Sequence, residues 1–152
     1  MFPELQYHCV GLPTEQDQFL EIAKALSVEG HVTFHGRVED EHLKHLILDC
    51  DLFVMLSHMT TTGDVEGFGI AILEANALGL PAIGSLGCGI EDAIAEGQSG
   101  RLIEPADSKA FIEAISTILS DYECYRAEAK AWAAKHDWSK IVEDYVIAIK
   151  SL

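Results

Sequence analysis

At 152 residues, with 49% hydrophobic and 23% charged side chains, the chain is long enough to bury a real core and has the composition of a folded globular protein rather than a disordered one. A net charge of −15, from 25 acidic against 10 basic side chains, argues against nucleic acid and anionic membrane surfaces as partners of this stretch. There is no apolar run of about 18 residues and no basic leader with an apolar core, and Cys9, Cys50, Cys88 and Cys124 lack pair spacing, so free thiols in the cytoplasm are expected.

Strand and helix patterns alternate from the start. Residues 5–10 read as a strand ending at Gly11, and Thr14-x-x-Asp17 opens a helix to about Leu26 with Phe19, Ile22, Ala23 and Leu26 on one face. A second strand covers 31–35, and 39–50 shows the helical spacing Leu43, Leu46, Ile47, Cys50. Residues 51–56 form an apolar strand of the kind found in the middle of a parallel sheet. Further strands at 81–84 and 101–103 enclose a helix at 91–95, and helices at 108–119 and about 123–135 follow. The last helix opens at Asp137 and lines up Trp138, Ile141, Val142, Tyr145, Val146 and Ile149 as an apolar stripe, expected to be partly exposed and open to self-association. The alternation predicts an α/β fold, a Rossmann-like doubly wound parallel sheet, in a single domain over 1–152.

Chemistry concentrates in residues 66–81, Glu-Gly-Phe-Gly-Ile-Ala-Ile-Leu-Glu-Ala-Asn-Ala-Leu-Gly-Leu-Pro. Gly67 and Gly69 allow a tight entry into a helix over about 68–78, and Gly79 and Pro81 stop it. Apolar residues on every side of that helix predict burial, and Glu74, flanked at helical spacing by Ile70, Ala71, Ala77 and Leu78, is expected to be a buried carboxylate that needs hydroxyl donors, such as those of a sugar or ribose diol. Glu66 lies just ahead of helix amides that are expected to be bare and ready for phosphate. Two acidic residues eight apart also arise by chance in so acidic a chain.

The loop at 57–65 leads from a strand end into this helix, where open α/β sheets bind ligands, so Ser57 and His58 are candidates to line the site. Gly87 and Gly89 precede the 91–95 helix and are expected to offer a second set of exposed amides. None of the ten Lys and Arg stands beside 66–74, so amides and helix starts must do most of the work on a phosphate. His31 and His35 on one strand face, and His42, His45 and Asp49 on one helix face, could hold a metal, although packed or solvated histidines are commoner.

Glu66-Gly67-Phe68-Gly69 with a second glutamate at 74, then Gly79-x-Pro81 and Gly97-x-x-Gly100, resembles the donor-binding half of the GT-B-fold retaining glycosyltransferases of family 4, from about Leu5 to the C-terminus. The resemblance implies a UDP- or GDP-hexose donor, a glycan or lipid-linked acceptor as in polysaccharide biosynthesis, and no metal cofactor. It assigns Glu66 to the donor sugar as the catalytic carboxylate and Glu74 to the ribose. Gly67, Phe68, Gly69 and Ile70 complete the donor-binding segment, joined by Ser57, Gly87 and Gly89. Cys88 stands where the family usually has a glycine, with Asp92 on the acidic position.

The family begins this domain one βα unit earlier, with a Gly-Arg turn and a Lys-Gly pair for the diphosphate, and precedes it with an acceptor-binding domain. Without the first strand, the Rossmann order 3-2-1-4-5-6 loses its centre, and the chain is expected either to close that gap or to be part of a longer enzyme, cytoplasmic or peripheral to a membrane. The rival readings are a non-catalytic nucleotide-sugar binding module and a structural α/β domain that assembles through the last helix.

Overall fold

A computed structural model of the chain describes residues 2–12, 14–57 and 66–151. The molecule divides into two compact units, Met1–Leu46 and Ile47–Leu152. All elements run in the alternating order that the sequence predicts.

In the first unit β1 (Tyr7–Val10) and β2 (Val32–Gly36) pair in parallel, with Tyr7 opposite Val32 and Cys9 opposite Phe34. The helix between them, α1 (Gln16–Ala25), buries only Ala23 of its predicted face, and Phe19 and Ile22 stay about half exposed, at 48% each. The expected Thr14 cap does not form. Glu15 holds the capping position without a side-chain bond, while the Thr14 hydroxyl turns back to donate to the Leu12 carbonyl at 3.5 Å. His31 belongs to a short 3-10 turn rather than to β2, and therefore does not share a strand face with His35. The helix α2 (Asp40–Leu48) follows, and the division between the units falls inside it.

In the second unit β3 (Phe53–Met55), β4 (Ala82–Ser85) and β5 (Gly100–Ile103) form a parallel sheet in the order β3-β4-β5. Its helices are α3 (Ile70–Ala77), α4 (Ile90–Ala93), α5 (Ser108–Ser120), α6 (Tyr122–Ala133) and α7 (Trp138–Lys150). Ile72, Ile83, Ile90 and Ile118 lose all solvent contact, and α6 packs along α3. The small-residue strand β4, Ala-Ile-Gly-Ser, is buried at every position, as a strand paired on both edges and covered by helices must be.

Two expectations change. No strand pairing joins β1-β2 to β3-β4-β5 among the described residues, so the five strands form two sheets rather than one. The 51–56 segment accordingly gives a strand of three residues on a sheet edge, half-buried rather than central. Among the described residues no helix is long and apolar enough to cross a membrane.

Candidate functional site

Parallel strands direct their C-terminal ends to one side of a sheet, so the segments that leave β3 and β4 emerge together. Residues 66–69 lead into α3, and 86–89 lead from β4 into α4. The two meet backbone to backbone. The amide of Gly89 donates to the carbonyl of Glu66 at 3.0 Å, and a Cβ on Gly89 would lie 1.9 Å from the Gly67 carbonyl oxygen. Only glycine allows that approach. Gly69 precedes α3 with φ +84°, the left-handed conformation that L side chains rarely adopt.

Beneath these loops lies a core of Ile72, Ala82, Ile90, Ala93 and Ile94, against which Phe68, Cys88, Met55 and Leu102 pack. From the end of β3, the amide of Ser57 donates to the buried Ser85 hydroxyl at 2.9 Å, and that hydroxyl lies 3.4 Å from the Cys88 sulfur. Ser57, Ser85 and Cys88 are thereby brought to the same side of the sheet as Glu66 to Gly69. His58 and the remainder of the 57–65 loop lie outside the described residues.

The amides ahead of α3 are not bare. One Glu66 carboxylate oxygen accepts from the Gly69 amide at 3.2 Å and stands 3.5 Å from that of Phe68. A helix start favours negative charge, and the Glu66 carboxylate supplies it. The second set of amides is engaged as well. Gly87 donates to the Glu91 side chain, in a short contact across the first turn of α4, and Gly89 donates to Glu66 as described. Gly87 reaches this turn through φ +80°.

Glu74 corrects the sequence reading most directly. It is exposed, not buried, and α3 is not buried all round. Ile70, one turn earlier, is 60% exposed and Ala77 is exposed too, so an open face runs along Ile70, Glu74 and Ala77 while Ile72, Ala75 and Asn76 face inward. Apolar neighbours at three and four positions imply burial only when something covers that face. The carboxylate therefore needs no internal donor and is free to meet hydroxyls from solution. The buried polar residue of α3 is Asn76 instead. Its Nδ2 donates to the Leu80 carbonyl at 2.9 Å, closing the helix end, while its Oδ1 has no partner among the described residues.

Sequence reasoning missed two side chains near the site. Trp132, near the end of α6, packs on His136 in the 3-10 turn that follows, and His136 brings its imidazole to Phe68 with centroids 6.2 Å apart. Nothing in the local spacing marks them, because they lie more than sixty residues downstream.

The histidines of the first unit do not assemble a metal site. His8 Nδ1 and His35 Nε2 are 2.9 Å apart with stacked rings, and His42 meets His35 edge-on, while the His31 ring bonds the Leu5 carbonyl. Among the described residues no group of three or more His, Cys, Asp and Glu side chains is arranged to hold a metal ion. All four cysteines are free thiols.

A family model described as "Glycosyl transferases group 1" matches residues 1–136. The D-inositol 3-phosphate glycosyltransferase of Geodermatophilus obscurus is 30% identical over 149 residues, which cover 95% of this chain and 32% of that protein. The GDP-mannose-dependent alpha-(1-6)-phosphatidylinositol monomannoside mannosyltransferase of Mycolicibacterium smegmatis is 30% identical, over 88% of this chain and 35% of its own length. Among solved structures, HepE of Anabaena in complex with UDP superposes with a TM-score of 0.78 at 28% identity, over 99% of this chain and 42% of that one. The chain thus spans about a third of the length of the curated relatives it matches.

Proposed function

The chain belongs to the group 1 glycosyl transferases, and from that premise we propose that it is the donor-binding domain of a retaining, family 4 hexosyltransferase. The donor is a UDP- or GDP-hexose, and the acceptor a glycan or lipid-linked sugar held by a second, acceptor-binding half. The observation that carries this reading is the meeting of the Glu66 to Gly69 segment with Gly89 at the C-terminal side of β3-β4, with Glu66 already seated on the amides ahead of α3. An HepE complex with UDP, matched over nearly the whole chain, supports a nucleotide diphosphate in the same fold.

Each residue then has a task. Glu66 turns from the amides to the hydroxyls of the donor hexose, and Phe68 and Gly69 present their freed N–H groups to sugar or diphosphate, whose negative charge the start of α3 favours. Glu74 on the open face of α3 receives the two ribose hydroxyls, and Ile70 beside it offers an apolar wall. Ser57, Gly87 and Gly89 shape the floor. The leaving diphosphate is neutralised by amides and by cations supplied from outside this segment, with no metal in the reaction. Positioning donor and acceptor against each other across a cleft supplies most of the rate, so the chain alone binds without transferring. The apolar side of α7, with Trp138 75% exposed, is the surface for the acceptor-binding half or for a second copy; a clean monomer in light scattering at high concentration removes the second copy.

The test is a thermal-shift titration with UDP-glucose, UDP-N-acetylglucosamine and GDP-mannose, beside Glu74→Ala. At a hundred times its dissociation constant a ligand adds about 2.7 kcal/mol, a shift of several degrees. A shift with one nucleotide that disappears in Glu74→Ala is the expected result and names the base. No shift with any of the three, in this chain and in one extended upstream, overturns the proposal.

A further inference from the structure

We infer that His136, held by Trp132, is a positioning residue for Glu66, a role that rests on the donor-site reading above. A loop of contacts closes through four segments. The Glu66 carboxylate binds the amides of Phe68 and Gly69, and the Glu66 carbonyl accepts from Gly89 at the start of α4. At the other end of α4, the Ala93 carbonyl accepts from the indole N–H of Trp132 at 2.9 Å. The Trp132 ring packs on His136 with centroids 4.5 Å apart, and His136 meets the Phe68 ring at 6.2 Å, which returns to the starting loop. These separations fall in the range of favourable aromatic pairs.

The imidazole is oriented, not merely present. Its Nδ1 lies 3.0 Å from the Trp132 carbonyl, and a carbonyl only accepts, so Nδ1 carries the proton and donates. That bond spans one helical turn and fixes the ring's tilt towards Phe68. Trp132 is fixed in turn by Ala93 and by the Lys135 ammonium 5.5 Å from its ring.

The segment that gains from this support has few side chains to hold it. Gly67 carries no side chain, Gly69 sits at a left-handed φ, and no side chain of residue 69 can cap α3. Phe68 is the one anchor between Glu66 and the helix, and its ring is only half-buried on the core. With His136 packed on the Phe68 ring, the amides of Phe68 and Gly69 keep their direction whether the Glu66 carboxylate or the donor occupies them. The donor then meets amides already in place, and Glu66 turns to the sugar hydroxyls from a fixed backbone.

The test compares His136→Ala with His136→Phe, which keeps a ring against Phe68, and with Trp132→Phe, which keeps a ring and loses the bond to Ala93. In the ligand-free chain, amide exchange at Gly69 and the resonances of residues 67–69 are followed by NMR. His136→Ala is expected to speed exchange at Gly69 several-fold, and His136→Phe to restore it. Sugar-nucleotide affinity should fall about 2- to 10-fold in His136→Ala, the equivalent of one aromatic pair, and recover in His136→Phe. Trp132→Phe should lie between them. A folded His136→Ala with unchanged exchange at Gly69 and unchanged affinity overturns the inference, even if its melting temperature drops. If His136→Ala fails to fold, Trp132→Phe with wild-type exchange at Gly69 overturns it. Should the wild-type chain bind no sugar nucleotide, the donor reading fails while the exchange measurement still decides the contact.

Discussion

The two units solve the same problem with unequal success. Both place a helix with an apolar stripe beside parallel strands. In the second, Ile72, Ile83, Ile90 and Ile118 are removed from solvent entirely. In the first, Ala23 is the one buried apolar side chain among the described residues, and an open pocket of about 450 Å³ lined by Tyr7, Val10, Phe19, Ile22, Leu26 and Phe34 lies between α1 and its two strands. A pair of strands with one loosely seated helix is marginal by itself, whereas three strands covered by helices are not. Periodicity decides which side of a helix is apolar. It does not decide how closely that side is covered.

The largest effect follows from that contrast. Ile118→Ala removes a side chain with no exposed surface and should cost about 2–5 kcal/mol, a large part of the stability of a domain of this size. Phe19→Ala removes a larger side chain that is half exposed and faces an open pocket, and should cost less than Ile118→Ala. Urea unfolding followed by circular dichroism measures both. Equal losses at the two positions would mean that the first unit is as tightly covered as the second, and would break the comparison.

The same contrast explains what could be read in the sequence. The order of elements was legible because hydrophobic spacing and glycine stops are local signals; the strand-helix alternation, the α3 stop at Gly79 and the Asp137 start of α7 all appear where expected. The meeting of Glu66, Phe68, Gly69 and Gly89 was legible in part, since glycines at both helix starts mark turns, but the close approach of Gly89 to Gly67 is a long-range fact. Glu74 was misjudged because its neighbours in the chain are apolar while its side chain lies on the exposed face of α3. Trp132 and His136 were invisible for the opposite reason: their partners lie far away in sequence.

A single methyl group sharpens the comparison further. At Gly89 the backbone is right-handed, φ −64°, so alanine adds no torsional strain there; its Cβ would still collide with the Gly67 carbonyl. Gly89→Ala should therefore cost about 1–3 kcal/mol and weaken donor binding by displacing residues 66–69. At Gly30, in the 3-10 turn before β2, a Cβ would meet nothing within 4 Å. Gly30→Ala should leave stability unchanged or raise it by a few tenths of a kcal/mol, through the entropy of the unfolded chain. Calorimetric melting of the two variants separates them, and a Gly89→Ala variant that melts with the wild type would remove the close approach from the account of the site.

The smallest effect concerns α7, which carries its apolar side in the open and relies on its ends for definition. Asp137 caps it, accepting from the Ser139 amide at 2.9 Å and from the Ser139 hydroxyl, and these bonds hold its carboxyl below the ordinary aspartate value of 3.8. A depressed value means that the unfolded state takes up the proton more readily than the folded one. The contribution of the cap is thus fully present above about pH 4 and is lost as pH falls through the lower, folded value. Asp137→Asn should retain part of the cap and flatten the acid limb of the melting-temperature profile, because asparagine accepts from the same amide and does not titrate. If the wild type and Asp137→Asn fall in parallel between pH 5 and 3, the cap is already open in solution and α7 owes its start to something other than Asp137.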